Sequence, residues 1–167
     1  MTNTHNNIAS FAAGCFWGVE ATFAALKGVI RTTVGYAGGH LANPSYQAVC
    51  TGTTGHAETL QLTFDPKQIC YQTLLHTFWE CHDPTTPDRQ GPDVGSQYRS
   101  VIFYHNPTQQ RLAEASKVMA QTRISKPIVT AIIPMRVFYP AENDHQQYFK
   151  KHAIQYCPLR KKTISSS

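Results

Sequence analysis

Short apolar runs typical of β-strands recur along this chain, and segments with the spacing of helices separate most of them. The predicted order is β-α-β-β-α-β-α-β-α within 167 residues, a length that fits one domain with a substantial core. Because helices and strands are mixed without clean alternation, the pattern favours an α+β fold over an α/β fold. We therefore predict a single domain over residues 1–167, built as a two-layer sandwich with a central mixed β-sheet and flanking helices.

The boundaries of these elements follow from apolar periodicity and from glycine and proline punctuation. The predicted strands cover residues 8–13, 29–36, 59–64, 98–104 and 128–138, the last bent at Pro134. The predicted helices cover residues 15–28, 69–80, 107–122 and 141–152, with Asn106 as the N-cap of the third. Residues 37–44 and 81–96 are predicted loops, and a flexible tail is expected from about residue 153.

Net charge and composition limit which binding partners and which cellular compartment we predict for this chain. The formal net charge is +5, but the basic residues cluster only near the C-terminus, where a solvated tail explains them. We predict no nucleic-acid binding, although a basic binding module stands as the rival to an enzyme. No apolar run approaches the ~20 residues of a membrane span, so no membrane insertion is predicted. The chain shows no secretory leader and no C-x-x-C spacing among its five cysteines, so we expect cytoplasmic thiols.

Cys15 follows a predicted strand and a glycine, at the predicted start of a helix. Unpaired N–H groups and the dipole at a helix start favour negative charge, so we expect a lowered thiol pKa and a nucleophilic thiolate. The aromatic pair Phe16 and Trp17 comes directly after it, and one of these rings is expected to line a pocket. From this segment alone, a small buried cysteine in a turn and ordinary aromatic packing explain the pattern equally well.

Glu58 has the same strand parity as Leu60, Leu62 and Phe64. If that face is the core, the carboxyl points inward, where burial raises its pKa and keeps it protonated near neutral pH. A neutral carboxyl of this kind serves as a general acid. A solvated glutamate at a fraying strand end is the alternative.

Ordered motifs along the chain resemble the peptide methionine sulfoxide reductases of the A type. They are Gly14-Cys15-Phe16-Trp17-Gly18-Val19-Glu20, Gly35-Tyr36-Ala37-Gly38-Gly39, Asn43-Pro44-Ser45-Tyr46, Gly55-His56-Ala57-Glu58, residues 82–84 through 89–91, Asp93, Gly95, Gln97-Tyr98-Arg99-Ser100 and Ala141-Glu142-Asn143-Asp144-His145-Gln146-Gln147-Tyr148. The last motif matches the family's late helix. The matches run in order from about residue 8 to 157, which makes them far more specific than any single motif.

The resemblance implies a reaction and a role for each site residue. Thiol attack reduces the S epimer of methionine sulfoxide, free or in oxidised proteins, and the resulting sulfenic acid is resolved as a disulfide that thioredoxin reduces. No metal and no organic cofactor is implied, and the family suggests a monomer. The implied roles are nucleophile for Cys15, proton donor for Glu58, hydroxyl donors for Tyr46 and Tyr98, hydrogen-bonding support for Asp93, the S-methyl pocket for Phe16 and Trp17, and resolving thiol for Cys157.

The end of the chain departs from the family pattern. Many members carry a glycine-rich segment with two recycling cysteines, whereas here Cys157 is followed by Pro158 and by no second cysteine. One-step resolution by Cys157 is the hypothesis, with Cys50 or an external thiol as alternatives. A cysteine hydrolase that uses Cys15 with His56 as its base is the rival enzyme class.

Overall fold

The computed structural model describes residues 7–153, so Cys157 and the predicted tail lie outside the described residues. Its strands are β1 (Ile8–Ala13), β2 (Val29–Ala37), β3 (Ala57–Phe64), β4 (Arg89–Gln90), β5 (Asp93–Val94), β6 (Ser100–Tyr104), β7 (Ala131–Pro134) and β8 (Phe138–Pro140). Its helices are α1 (Phe16–Ala24), α2 (Tyr46–Cys50), α3 (Tyr71–Glu80), α4 (Pro107–Gln121) and α5 (Tyr148–Lys151). Among the described helices, none has the length and apolar character that a bilayer span requires.

Six strands form one mixed sheet in the order β7-β6-β1-β3-β2-β8, antiparallel except for the parallel pair of β6 and β7. The predicted α+β fold with a central mixed sheet and flanking helices is therefore confirmed. Asn106 caps α4 as predicted, since its side chain accepts a hydrogen bond from the Gln109 N–H at 2.9 Å.

The predicted strand over residues 128–138 is wrong, because this stretch forms two strands on opposite edges of the sheet. A flat six-stranded sheet spans about 24 Å at the usual strand spacing of ~4.8 Å. The chain from Pro134 to Phe138 reaches at most about 14 Å. The sheet must therefore curl until its edges approach each other. Gly35 permits the closure, because a Cβ there would collide with the backbone oxygen of Tyr139.

The helices cover one face of the curled sheet and enclose the main core. Phe11 of β1 stacks on Phe23 of α1 and on Phe78 of α3, with ring centroids 5.2 and 5.3 Å apart. Leu60 and Leu62 of β3 belong to the same cluster, whereas Ala12 and Ala57 face a smaller cluster on the opposite side. The parity argument for β3 is therefore confirmed, and it places the Glu58 side chain on the helix face.

The predicted helix over residues 141–152 is wrong except near its end, where α5 covers Tyr148–Lys151. A 3-10 turn (Asn143–His145) is followed by Gln147 in a left-handed conformation, with φ of 51°, and only then by α5. Competing tertiary bonds explain the break. The Gln146 side-chain amide accepts from the Val34 N–H at 2.9 Å and donates to the Val34 oxygen at 2.8 Å. These bonds continue the hydrogen bonding along the edge of β2, and the segment does not continue as a helix.

His82 lies just after α3, it is buried, and both of its ring nitrogens make hydrogen bonds. Its Nδ1 lies 2.7 Å from the Phe78 oxygen and its Nε2 lies 2.7 Å from the Ser100 hydroxyl, which in turn bonds Thr130. Nδ1 donates, since the Phe78 oxygen can only accept, and in the neutral ring Nε2 accepts from the Ser100 hydroxyl. Burial lowers the pKa of His82 to about 4, although the Phe78 oxygen and Asp83 act in the opposite direction.

This histidine makes the fold sensitive to mild acid. Between pH 6.5 and about 4 the unfolded chain binds a proton at His82 that the folded chain does not, so stability falls as pH falls through that window. We expect His82 to contribute about 2 kcal/mol to the loss in the free energy of unfolding between pH 7 and pH 4.5. Urea titrations at pH 7 and pH 4.5 measure it. His82→Gln, which cannot titrate, should show a smaller difference between the two pH values, and an identical difference would contradict the account.

Candidate active site

Cys15 occupies the tight turn that joins β1 to α1, and it is the N-cap residue of that helix. Gly14 makes the turn possible because its φ is 97°, a conformation that other residues adopt at a cost. A Cβ at Gly14 would also lie 2.7 Å from Cγ of Gln90 on β4. The turn therefore brings the thiol to the helix start, as predicted, and packs the β4–β5 ribbon beside it.

Glu58 reaches this turn from the neighbouring strand β3. The Phe16 N–H donates a 3.1 Å hydrogen bond to Glu58 Oε1, so the carboxyl is fixed to the residue that follows Cys15. The side chain is only 2% exposed, and Oε2 has no hydrogen-bond partner among the described residues. One carboxyl oxygen is thus held in place and the other is left with its bonding capacity unused.

The environment of Glu58 favours the protonated carboxyl. Burial raises its pKa to about 7, the negative charge of Asp93 adds to the effect, and the bond from the Phe16 N–H opposes it. A carboxyl with this pKa is both protonated and deprotonated in substantial fractions at neutral pH. It therefore meets the requirement for a general acid that works near pH 7.

The expectation of a lowered thiol pKa at Cys15 is wrong for the free protein. Burial and the charge of Glu58 raise the pKa of the thiol to about 11, and they outweigh the Trp17 and Gly18 N–H groups that act in the predicted direction. The helix start does attract negative charge, but its effect is smaller than desolvation beside a carboxylate. When Glu58 is protonated, its charge no longer raises the pKa of the Cys15 thiol. The protonation states of the two groups are therefore linked.

Three aromatic rings pack together at the start of α1, beside the turn that carries Cys15. The centroids of Phe16 and Trp17 are 6.4 Å apart, those of Phe16 and Tyr46 are 6.4 Å apart, and those of Trp17 and Tyr46 are 6.3 Å apart. The centroids form a nearly equilateral triangle, in which Phe16 is buried and Trp17 and Tyr46 are partly exposed. Both aromatic residues after the thiol belong to this triangle, whereas the residue pattern alone predicted a pocket role for one of them.

Residues from the end of the described chain complete this wall, and the residue patterns alone did not single them out. The Trp17 indole N–H donates to His145 Nδ1 at 3.1 Å, and the indole stacks on Tyr148 with centroids 3.9 Å apart. The Glu142 carboxylate accepts from the Tyr36 hydroxyl and from the Tyr46 N–H, each at 3.1 Å. These bonds fix the orientation of Trp17 and the start of α2.

Tyr98 and Asp93 lie on the polar side of the site. Burial, together with the charges of Glu58 and Asp93, raises the pKa of Tyr98 to about 12, so its phenol stays a hydrogen-bond donor. Arg99 supports this position by donating to the oxygens of Ser96 and Gly55, each at 2.9 Å. The turn that carries Tyr98 is thereby tied to the loop that leads into β3 and Glu58.

His56 is not placed to serve Cys15 as a base. It is 2% exposed, its Nδ1 accepts from the Gly39 N–H at 3.0 Å, and its Nε2 lies 2.7 Å from the Leu41 oxygen. Both ring nitrogens are therefore used to hold the loop after β2. The hydrolase hypothesis lacks the nucleophile–base contact that it requires.

The described cysteines are all free thiols, and they differ in setting. Cys50 is exposed at the end of α2, one helical turn after Tyr46, and Cys70 is exposed at the start of α3. Cys81 is partly buried, and its thiol lies 3.3 Å from the Phe78 oxygen. Within residues 7–153, only Cys15 combines a thiol with a buried carboxyl and an aromatic wall.

Because the group beside the Cys15 thiol is a carboxyl able to donate a proton, and His56 is engaged elsewhere, the site fits a cysteine-dependent oxidoreductase and not a hydrolase. Comparison with known proteins gives the family: the family model for peptide methionine sulfoxide reductase matches residues 7–167, and the chain belongs to that family.

Three related proteins illustrate the similarity. A peptide methionine sulfoxide reductase MsrA of Methanosarcina acetivorans is 57% identical over 154 residues, 91% of this chain and 82% of the relative. The structure of reduced Mxr1 from Saccharomyces cerevisiae superimposes with a TM-score of 0.85 at 36% identity, covering 91% of this chain and 88% of that one. Mxr1 in complex with Trx2 matches with a TM-score of 0.61 at 27% identity, covering 90% and 85%.

Proposed function

We propose that this chain reduces methionine sulfoxide, in proteins and as the free amino acid, by attack of the Cys15 sulfur on the sulfoxide sulfur. The observation that carries the proposal is the buried Glu58 carboxyl, bonded to the N–H of the residue after Cys15 and with a pKa raised to about 7. A sulfoxide sulfur becomes electrophilic when its oxygen accepts a proton. Glu58 supplies that proton where the charge changes.

The reaction balances with the groups of this site. Cys15–SH and R–S(O)–CH3 give Cys15–SOH and R–S–CH3, so the cysteine sulfur is oxidised to a sulfenic acid and the sulfoxide is reduced to a thioether. Glu58 gives its proton to the sulfoxide oxygen and takes up the thiol proton, so the carboxyl ends the step protonated. The oxygen moves to the cysteine sulfur, and no external electron donor is needed until the next stage.

The remaining residues orient the sulfoxide. We assign the S-methyl group to the apolar rings of Phe16 and Trp17, whose centroids lie 6.4 Å apart. The hydroxyls of Tyr46 and Tyr98 donate to the sulfoxide oxygen. Asp93 supports the site from β5, and its charge already favours the neutral form of Glu58.

A site that holds the methyl group on one side, and donates hydrogen bonds to the sulfoxide oxygen on the other, distinguishes the two epimers at sulfur. With dithiothreitol as reductant, we expect at least ~100-fold higher kcat/KM for the S epimer of an acetylated methionine sulfoxide than for the R epimer. Chromatographic quantification of methionine from the separated epimers measures this ratio. Equal rates would contradict the proposed orientation of the sulfoxide.

Recycling requires a second thiol and an external reductant. We assign the second thiol to Cys157, which condenses with the sulfenic acid of Cys15 to form a disulfide and water. A thioredoxin dithiol then reduces this disulfide by exchange. The complex between the yeast Mxr1 protein and Trx2 supports thioredoxin as the reductant.

Replacement of Cys157 separates the chemical step from recycling. Cys157→Ser should retain one turnover per protein, whereas its steady-state rate with thioredoxin should fall at least ~100-fold, because the disulfide cannot form. Cys50→Ser is the matched control and should keep the thioredoxin-dependent rate. If Cys157→Ser keeps that rate and Cys50→Ser loses it, Cys50 is the resolving thiol.

Compartment, assembly and domain extent complete the proposal. We place the enzyme in the cytoplasm, because a reaction that consumes thiols and is recycled by thioredoxin requires a reducing compartment, and we propose that it is a monomer. We propose that residues 1–167 form one catalytic domain, whose last residues from about 153 include the resolving Cys157.

A further inference from the structure

A cavity of about 530 Å³ lies between α1, the start of β2 and α5. Trp17 lines it, so the cavity adjoins a residue to which we assign the S-methyl group. A methionine sulfoxide side chain needs only the ring triangle. The adjoining volume falls in the range of ligand pockets and takes additional residues of a polypeptide.

Glu20 gives this cavity a polar anchor. Its carboxyl is 2% exposed, Oε1 accepts the Gln147 N–H at 2.5 Å, and Oε2 has no hydrogen-bond partner within the described part of the chain. The Thr32 hydroxyl is near enough to lower the pKa of the carboxyl, but burial outweighs it and raises that pKa. A buried acceptor without a partner costs free energy unless a donor arrives, and a polypeptide carries such donors in its backbone N–H groups.

The rest of the cavity wall is apolar on one side and cationic on the other. Ala21 and Ala24 of α1 leave room for a side chain, and a bulge in β2 between Val29 and Arg31 leaves Ile30 67% exposed. Bulges of this kind occur next to functional sites, where they re-aim side chains. The Arg31 side chain lines the same cavity.

Lys150 of α5 contributes a second positive charge to the cavity wall. Two exposed cations at the rim of an apolar cleft attract a carboxylate and favour an acidic residue over a basic one. The lining therefore fits an apolar side chain followed by an acidic side chain, joined by a backbone that donates hydrogen bonds.

We propose that this cavity is a subsite for the oxidised polypeptide, which binds an apolar residue and an acidic residue adjacent to the methionine sulfoxide. The proposal rests on the proposed function, since it names the polypeptide class that the same enzyme reduces most efficiently. Free methionine sulfoxide does not use the subsite, because it has no flanking residues to fill it.

The test compares peptides of equal length that carry methionine sulfoxide beside Leu-Glu or beside Ser-Lys, with the pair placed before or after the oxidised residue. Acetylated methionine sulfoxide amide serves as the substrate without flanks. At the pair position that gives the higher kcat/KM, we expect the wild-type chain to prefer the Leu-Glu peptide over the Ser-Lys peptide about tenfold. The difference should lie mainly in KM. Ala24→Trp, which fills the cavity, and Arg31→Glu, which reverses its charge, should each abolish this preference.

Both variants should reduce the small amide within about twofold of the wild-type rate. Lys27→Glu is the matched charge-reversal control, since Lys27 is exposed just beyond α1 and does not line this cavity. Equal kcat/KM for both peptides in the wild type would overturn the subsite, as would variants that impair thioredoxin recycling and leave the peptide preference intact. Failure of the wild type to reduce the small amide would instead contradict the proposed function.

Discussion

Cys15→Ser should abolish reduction of methionine sulfoxide, with a loss of at least ~1,000-fold in single-turnover rate. The loss is expected because serine cannot accept the sulfoxide oxygen as cysteine does. A cysteine sulfur accepts the sulfoxide oxygen and becomes a sulfenic acid, whereas a serine oxygen in its place would have to become a hydroperoxide. Incubation of each reduced protein with the S-epimer peptide, followed by quantification of methionine, measures the loss.

Cys70→Ser is the matched control for this experiment, because Cys70 is an exposed thiol that is also an N-cap residue, at the start of α3. It should retain the wild-type rate. Methionine formation by Cys15→Ser at a rate comparable to that of the control would eliminate the nucleophile assignment.

Glu58→Gln should lower kcat by ~100-fold or more. The substituted amide oxygen still accepts the Phe16 N–H, so the turn at Cys15 keeps its support, while the amide nitrogen is far too weak an acid to protonate the sulfoxide. The exposed Glu114 of α4 provides the control variant Glu114→Gln, which should be fully active. A Glu58→Gln enzyme with an unaltered rate would show that another group supplies the proton.

The same carboxyl sets the direction of the pH dependence. Because catalysis needs the protonated form of Glu58, kcat/KM of the wild-type enzyme should fall as pH rises through about 7, the pKa to which burial raises this group. Glu58→Gln has no proton to lose there, so its residual rate should lack that descending limb. A wild-type rate that rises steadily from pH 6 to 8 would contradict the assignment of Glu58 as the acid.

Local patterns were enough to predict the parts of the site that depend on one strand or one turn. The alternation of β3 placed Glu58 on the core face, and the glycine before Cys15 predicted the turn at the helix start. Both inferences rest on the period of a strand and on the conformational freedom of glycine, which neighbouring residues in sequence determine.

Features that depend on distant contacts were not predictable in this way. The stretch after residue 127 has strand-like composition, but curling of the sheet divides it into β7 and β8 at opposite edges. Glu142 and His145 lie in a segment that looks helical, yet their bonds to Tyr36, Tyr46 and Trp17 override that preference. The thiol pKa was misjudged for the same reason, since burial beside Glu58 is a property of the assembled fold.

The central claim is that Cys15 takes the oxygen of methionine sulfoxide and that Cys157 resolves the product. Mixing reduced protein with an S-epimer methionine sulfoxide peptide, without reductant, and then mapping disulfides by mass spectrometry tests it most directly. The account predicts about one methionine per protein, the loss of two thiols and a Cys15–Cys157 disulfide. No methionine, with every thiol intact, would contradict it.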